Sequence, residues 1–550
     1  MYARHLGPAH KTYDAVRGLI ASFGAGERER LRQRARIGGM LAALNAPAAD
    51  RFEGTVLIDG LFDNANYWLR AAMVRAALGT QHGREVGLAG GFSRGDIARM
   101  FSALGVDRVE RHATFAPSRA AVAAQARRLA AATRRPADIL DWELPDGLPG
   151  AVLYDGFLNR QRQPEVDIAG HDFTTYLEDA LMNLEAARRI LDRVEPNLLV
   201  VSHPFNFSWG PLVWGALARG IDVLWLFGLY GVNRFVHMTR PEHMNLLYDQ
   251  VTPDEMASLP ADRQARFRTL GQDYLDHRLG GRTDDIQADF AFRRATREID
   301  RQDLAERFGW DPERPVIGVY ASNWFDWPHQ LGMTHFTDFR DWTRVTAETA
   351  AKSEHANWLI KPHPLDAHFG GIALSDVIGD LELPGHVRIA DSAWNNRAVM
   401  SCLDALVTYH GTAGIEFAAQ GGPVLLPDRG KYELCGFALQ ASSREDYIGL
   451  LGQPWWHRLD LDAVRANAQS YAGLFFCAPA WQKPILQGDD NVKDANLARI
   501  AGILEHGGAA LEQELNLLAR WYASGETHFH RYKMLRTDEP DLTNVIAAAA

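Results

Sequence analysis

Cysteine is scarce in this chain. Cys402, Cys435 and Cys477 are the three among 550 residues, and none is spaced to share a metal with another. Each reads as a small core hydrophobe, and so few in so long a chain fit a reducing compartment. An excess of positive charge is also missing. There are 58 Lys and Arg against 69 Asp and Glu, a net charge of −11, with a pI near 6.0. That argues against broad nucleic-acid binding, which needs a basic surface, but leaves room for a local basic pocket around one phosphate. No apolar run approaches bilayer-crossing length. The opening stretch MYARHLGPAHKTYDAVRGL has no apolar signal core. A cytoplasmic protein is the simplest expectation, with attachment to the inner membrane or to an export assembly left open. Internal repeats and low-complexity tracts are absent as well.

What remains is ordinary globular composition, 47% hydrophobic and 23% charged. The length exceeds what one core usually supports, so two large domains or more are expected. Short apolar runs bounded by turn residues alternate with longer amphipathic stretches, the pattern of parallel sheets with helical crossovers. After a helical segment over 1–50, a first series of strands falls within 51–240: GTVLIDGLFDN, EVGLAGG, GAVLYDGFLN (150–159), PNLLVVSHP and IDVLWLFG. A charged helical connection over 241–310 interrupts it. The series restarts within 311–480 at RPVIGVYASNWFDWP, HANWLIKPHPLD, HVRIADS, CLDALVTYHG and GPVLLPDRG, and a helical tail covers 481–550. The expected fold is α/β, with two Rossmann-like doubly wound domains facing across a cleft. The ligand is expected at the carboxyl ends of the strands.

The second domain has anion-ready chemistry at several strand ends. In TYHGTAGIEFAAQGG, His410, Gly411, Thr412, Gly414 and Glu416 lie where a strand turns into a helix. The glycines permit a tight turn and close backbone approach. Thr412 sits at the helix start, where free N–H groups favour an anion. Glu416, one helical turn on, suits ribose hydroxyls rather than a phosphate. The bland alternative is a capped helix with a solvated Glu416. In KPHP, Lys361 offers a point charge and His363 a directional donor. Ser322 and Asn323 form a weaker third end. The first domain offers acids and a histidine at strand ends, namely Asp59, Asp63, Asp155 and His203. A carboxylate there would serve as general base or nucleophile. The residues alone do not choose among them, since Asp-Gly is also a common turn pair. The pair of aspartates in LDLD (459–462) mimics a metal-binding motif but falls outside the expected cleft, and no metal is expected.

KPHP, followed downstream by HGTAG and its Glu, resembles the nucleotide half of GT-B glycosyltransferases that use cytidine-linked donors. Bacterial sialyltransferases and CDP-glycerol glycerophosphotransferases carry a similar pair of motifs. YDGFLN (154–159) resembles the acidic motif of capsular Kdo transferases and sialyltransferases, with Tyr154 in place of the first acid. FTDFRDWTRVTAETAAKSEHANWLIKPHP is similar to surface-polysaccharide biosynthesis proteins. The resemblance covers roughly 310–440, and over 1–240 it rests on Asp155 and its neighbours. It implies a nucleotide-sugar donor, CMP-linked, whose phosphate meets His363 and Thr412 with Glu416 near the ribose. It also implies Asp155 as the catalytic carboxylate, a glycan or lipid-linked glycan acceptor, and no cofactor. The implied role is transfer of Kdo or a related acidic sugar in capsule assembly. Three alternatives share the fold: a CDP-glycerol-type polyol-phosphate transferase, a sugar-nucleotide epimerase, and a non-catalytic scaffold in polysaccharide export.

Overall fold

A computed structural model describes residues 25–44, 52–62, 64–90, 95–229, 232–245, 251–282, 288–295, 297–369, 371–477 and 494–542. Asp63 lies outside the described residues. In the first half, β1 (Thr55–Gly60) is buried along its whole length, as the central strand of a sheet covered on both faces must be. It leads into α1 (Ala65–Leu78), which Asn64 caps by accepting the N–H groups of Asn66 and Tyr67 and which Gly79 ends in the left-handed conformation. Then follow β2 (Arg84–Ala89), β3 (Arg108–Arg111), α2 (Gly150–Gln161), α3 (Phe173–Val194), β4 (Leu198–Val201), α4 (Asn206–Ala218), β5 (Asp222–Leu229) and β6 (Val232–Met238). The sheet order is β3-β2-β1-β4-β5-β6. All pairs are parallel except β5 with β6, which run antiparallel.

After α5 (Ala261–Leu279), a second sheet is built from β7 (Val316–Tyr320), α6 (Phe339–Lys352), β8 (Asn357–Lys361), β9 (Val387–Ile389), β10 (Ala405–Thr408), α7 (Thr412–Ala418), β11 (Val424–Leu426) and β12 (Leu439–Gln440). Its order is β12-β11-β10-β7-β8-β9, all parallel. Counted from its own first strand, each sheet has the order 3-2-1-4-5-6, the doubly wound Rossmann plan. The strand order reverses between β1 and β4 in one sheet and between β7 and β10 in the other, and each reversal opens a crevice.

The chain closes with α8 (Leu461–Phe476), α9 (Asp494–His506) and α10 (Gly508–Ser524). α8 crosses α5 with backbones nearly touching, while α9 and α10 return to the first sheet. There Ile500, Ile503, Leu515, Leu518 and Trp521 pack with Val56, Ile58 and Trp68 in one core. Asp460, the first acid of LDLD, caps α8 by accepting the N–H groups of Asp462 and Ala463.

One expected strand is a helix. Residues 150–159, read above as strand and turn, belong to α2, which follows Pro149 and ends at Arg162 in the left-handed conformation. Residues 152–158 are all buried, so this helix has no polar face, and a short apolar run cannot by itself separate a buried helix from a buried strand. α2 lies against the second domain. Leu153, Tyr154 and Phe157 share a core with Trp324, Phe325, Phe336 and Trp342.

Candidate functional site

The second domain's strand ends converge at its crevice. Ser322 and Asn323 follow β7 and are buried, Lys361 ends β8, and His410 follows β10. His363 lies two residues past β8, partly open, with Nδ1 3.3 Å from the Leu365 N–H that it accepts. His410 is buried, and its Nδ1 meets no bonding partner in the protein. Burial lowers the His363 pKa to about 4, with Lys361 adding repulsion. Burial lowers that of His410 to about 3, with Lys431 and then His363 repelling further charge. Lys361 is lowered to about 8 by burial, partly offset by Asp391. Lys431, past β11, is lowered to about 8 by burial, with Asp326 and Glu416 opposing and Arg278 and Arg234 reinforcing the shift. Four cation-capable groups thus crowd one crevice, each pushed toward its neutral form. An anion seated among them would oppose every one of these shifts.

The HGTAG turn differs from expectation in detail. Gly411 has an ordinary φ of −66°, and its N–H goes to Thr408 Oγ1 at 3.3 Å. Gly414 makes room for a protein group. A Cβ there would stand 2.1 Å from the Tyr432 hydroxyl, which donates to Gly411 O at 2.9 Å. α7 has only seven residues, so its dipole contributes little and the charge work falls to side chains. Thr412 is half-buried at its first position. Glu416 is not solvated. It is buried, and its Oε1 accepts Arg278 Nε at 2.6 Å, both side chains being 1–2% exposed. That ion pair ties α5 to α7.

On the first domain's side, Asp59, next to last in β1, is a fully buried hub. It accepts the Leu61 N–H at 2.6 Å, the Ser202 hydroxyl at 2.6 Å and N–H at 3.1 Å, and Trp209 Nε1 at 2.7 Å. Burial raises its pKa while those hydrogen bonds oppose the rise. His203, past β4, packs between Phe62 and Trp209 with ring centroids 5.3 and 5.1 Å away. Burial lowers its pKa to about 4. Neither Asp59 nor His203 is joined to the cluster in the second domain by a hydrogen bond.

Asp155 sits within α2, away from any strand end, with its side chain fully buried. Its carboxylate faces the loop between β7 and α6. Oδ1 lies 2.7 Å from His329 Nδ1, and Oδ2 accepts the Gln330 N–H at 3.0 Å. One residue back, the Tyr154 hydroxyl donates to Asp338 Oδ2 at 2.6 Å, and Asp338 also caps α6 by accepting the Asp341 N–H. The other flank of the same loop rests on Asp428, which accepts the Thr334 N–H at 2.5 Å, the His335 N–H at 2.7 Å and the Tyr409 hydroxyl at 2.5 Å. Between these anchors Trp327 adopts φ +52°, a conformation that costs a bulky residue about 1–3 kcal/mol. Trp327 stacks on Phe205 of the first domain at 6.0 Å. Its neighbour Asp326 is exposed. The surrounding protein raises its pKa, Lys431 counters, and Asp155 adds to the rise.

Asp326, His329, Lys431 and Arg278 are the members of this site that sequence reasoning did not single out. Asp326 and His329 lie in NWFDWPHQ, an acid and a histidine three apart in a strand-end loop, which is a usable signal. Lys431 follows a strand in PDRGKYE and is visible in the same way. Nothing in the charged stretch around Arg278 marks it as buried. Among the described residues, no group of three or more His, Cys, Asp or Glu is placed to hold a metal ion. No helix among them is long and apolar enough to cross a membrane.

No family model matches the chain, and no curated protein matches it. Among solved structures it is similar to UDP-GlcNAc 2-epimerase from Neisseria meningitidis bound to UDP-GlcNAc, with 12% identity, 76% of this chain and 98% of that one covered, and a TM-score of 0.23. It is also similar to KpsC, a β-Kdo 2,4 transferase from Thermosulfurimonas dismutans, with 15% identity, coverage of 49% and 78%, and a TM-score of 0.29. A third is Alr3699/HepE from Anabaena in complex with UDP-glucose, with 11% identity, coverage of 83% and 100%, and a TM-score of 0.26. At these values the likeness concerns fold alone, and the two-domain plan rests on the chain's own two strand orders.

Proposed function

We propose that this chain is a GT-B glycosyltransferase that moves a sugar from a nucleotide-linked donor to a glycan acceptor across the cleft between its domains. The observation that carries the reading is the crowding of Lys361, His363, His410 and Lys431 at the second sheet's crevice, where burial holds all four below their usual pKa values and neighbouring cations repel further charge on the two histidines. Such a site is complementary to a phosphate. When the bond between sugar and phosphate breaks, negative charge gathers on the departing nucleotide, and donors already aimed there stabilise it. Near neutral pH the two lysines supply the positive charge and the two imidazoles supply single directed N–H groups.

The donor in this proposal is cytidine-linked and the sugar is Kdo or a related acidic sugar, as the KPHP and HGTAG motifs suggest. Thr412 lies beside His410 for a phosphate oxygen. Glu416 would meet the ribose only by sharing its carboxylate with Arg278. Surface-polysaccharide assembly is the setting this implies, with a glycan or lipid-linked glycan as acceptor.

The test is thermal stabilisation by CMP, CDP, UDP and GDP, followed by a donor screen that reads nucleotide release. CMP is expected to stabilise the chain and Lys431→Met to reduce the shift. Stabilisation by UDP and not CMP would sink the cytidine assignment. No response to any nucleotide would leave a non-catalytic scaffold, and release of CMP from CDP-glycerol, with glycerol phosphate passed to the acceptor, would make the enzyme a polyol-phosphate transferase.

A further inference from the structure

We propose that Asp366 is a positioning residue, the counter-ion that lets His363 carry a positive charge when a phosphate reaches the crevice. The inference rests on the reading of that crevice as a phosphate site. Asp366 lies three residues past His363, beyond β8, and is buried. Neither of its carboxylate oxygens makes a well-formed hydrogen bond to the protein. Every other buried carboxylate among the described residues accepts from a hydroxyl, an N–H group or an arginine. Buried polar groups normally find partners, and Asp366 is the exception among the acids.

The loop around it is firmly tied. The Asp366 N–H donates to His363 O at 3.2 Å, and Asp366 O accepts the Gly371 N–H at 2.9 Å. Trp324 Nε1 donates to Ile372 O at 2.7 Å. Pro362 and Pro364 fix φ on both sides of His363. What faces the carboxylate is the imidazole. His363 Nδ1 stands 4.0 Å from Asp366 Oδ1 and accepts the Leu365 N–H at 3.3 Å. An accepting Nδ1 carries no hydrogen, so in the free chain the ring is neutral with its hydrogen on Nε2. A proton on Nδ1 would turn away from the Leu365 N–H, and Asp366 Oδ1 is the acceptor within a small movement of the ring. The other charged groups beside this ring are Lys361 at the end of β8 and His410 after β10, and both repel a charge on it.

Burial raises the Asp366 pKa to about 7, with the His363 backbone opposing. Just below neutrality the pair therefore holds one proton, and it sits on Asp366. A phosphate beside the ring favours the charged imidazole. The Asp366 O–H bond then breaks, its proton passes to Nδ1, and its electron pair stays on the carboxylate. Imidazolium and carboxylate pair, with no proton exchanged with solvent. At higher pH Asp366 has already lost its proton, the ring must take one from solvent, and binding weakens.

Measurements on the full chain test this. Histidine-selective nitrogen NMR at pH 6.5, assigned by comparison with His363→Ala, should show one ring hydrogen on His363 in the free chain. Saturating inorganic phosphate or CMP should raise that to two in the wild type and leave it at one in Asp366→Asn. A neutral ring in the wild-type complex, or a charged one in the variant, overturns the proposal. CMP affinity at pH 6.5 should fall about tenfold in Asp366→Asn. Its decline with rising pH should begin near 7 in the wild type and near 8 in the variant, where the lysines take over. Unchanged affinity and onset overturn the proposal. A merely structural residue would lose stability along with affinity. Asp366→Asn should instead raise the unfolding midpoint at pH 8, because it removes a buried acid whose raised pKa costs the fold stability above its unfolded value. If phosphate charges His363 in a chain that binds no nucleotide, this proposal stands and the transferase reading falls. If CMP binds and the ring stays neutral, the reverse holds.

Discussion

His410 shows how the site is poised. Its pKa falls to about 3, against an ordinary 6.5, chiefly because burial disfavours the charged ring. Below pH 6.5 the unfolded chain binds a proton at this position that the folded chain does not. Its contribution to stability is therefore fully present above 6.5 and is lost as pH falls toward 3. His410→Asn removes that dependence. Urea unfolding compared at pH 7 and pH 4.5 should show a smaller acid loss in the variant than in the wild type. The lysines act at the other end of the scale. With Lys361 and Lys431 lowered to about 8, the free protein loses their charge above that pH, and a bound phosphate favours keeping it. Their share of nucleotide affinity, read by titration calorimetry, should hold steady to about pH 8 and then fall, well before ordinary lysines would allow. Lys431→Met should weaken binding at neutral pH and flatten that fall.

Among the elements, α5 crosses α8 in close backbone contact. A Cβ on Gly271 would stand 1.9 Å from Gln469 O, and one on Gly473 would stand 2.0 Å from Phe267 O. Backbone cannot yield there as a side chain would. Gly271→Ala gains about 1 kcal/mol of helix propensity but overpacks a backbone contact, which typically costs about 1–3 kcal/mol, and net destabilisation is expected in thermal unfolding. Gly449, in the helix Arg444–Leu451, has open space at its Cβ, so Gly449→Ala should stabilise and fixes the sign of the comparison.

The elements also show what was legible. Strands such as TVLIDG, LLVV and NWLIK announce themselves because a strand buried on both faces is a short apolar run between turn residues. α2 was misread for the same reason, since AVLY in a fully buried helix looks alike. β6 escaped notice because VNRFVHM mixes a charge and a histidine into its run. Lys361, His363 and His410 were legible as strand-end residues. His329 is visible in NWFDWPHQ, but its pairing with Asp155 is not, because the two lie 174 residues apart and no local spacing reports so distant a contact.

For the whole molecule, the domains are held by few polar ties and much apolar surface. The Arg278–Glu416 pair is the most deeply buried of the ion pairs described. Removing one partner of such a pair leaves an uncompensated charge, at a typical cost of about 3–5 kcal/mol. Glu416→Gln should therefore lower the unfolding midpoint sharply, and any loss of nucleotide binding in that variant must be measured well below its melting temperature. The Tyr154–Asp338 and Asp155–Gln330 hydrogen bonds fasten α2 to the loop between β7 and α6.

The return of the tail has a consequence for how the chain comes off the ribosome. The first sheet's β1 and α1 share their core with Ile500, Ile503, Leu515 and Trp521. Residues 527–529 hydrogen-bond along β6, with the His237 N–H donating to Thr527 O at 2.7 Å and the Phe529 N–H to Phe235 O at 2.9 Å. The half made first is therefore finished last. The second sheet is complete by residue 477 and can close while the first still shows bare apolar surface. Nascent chains halted near residue 490 should carry a protease-resistant second domain beside a first domain that is still cut readily and binds chaperone.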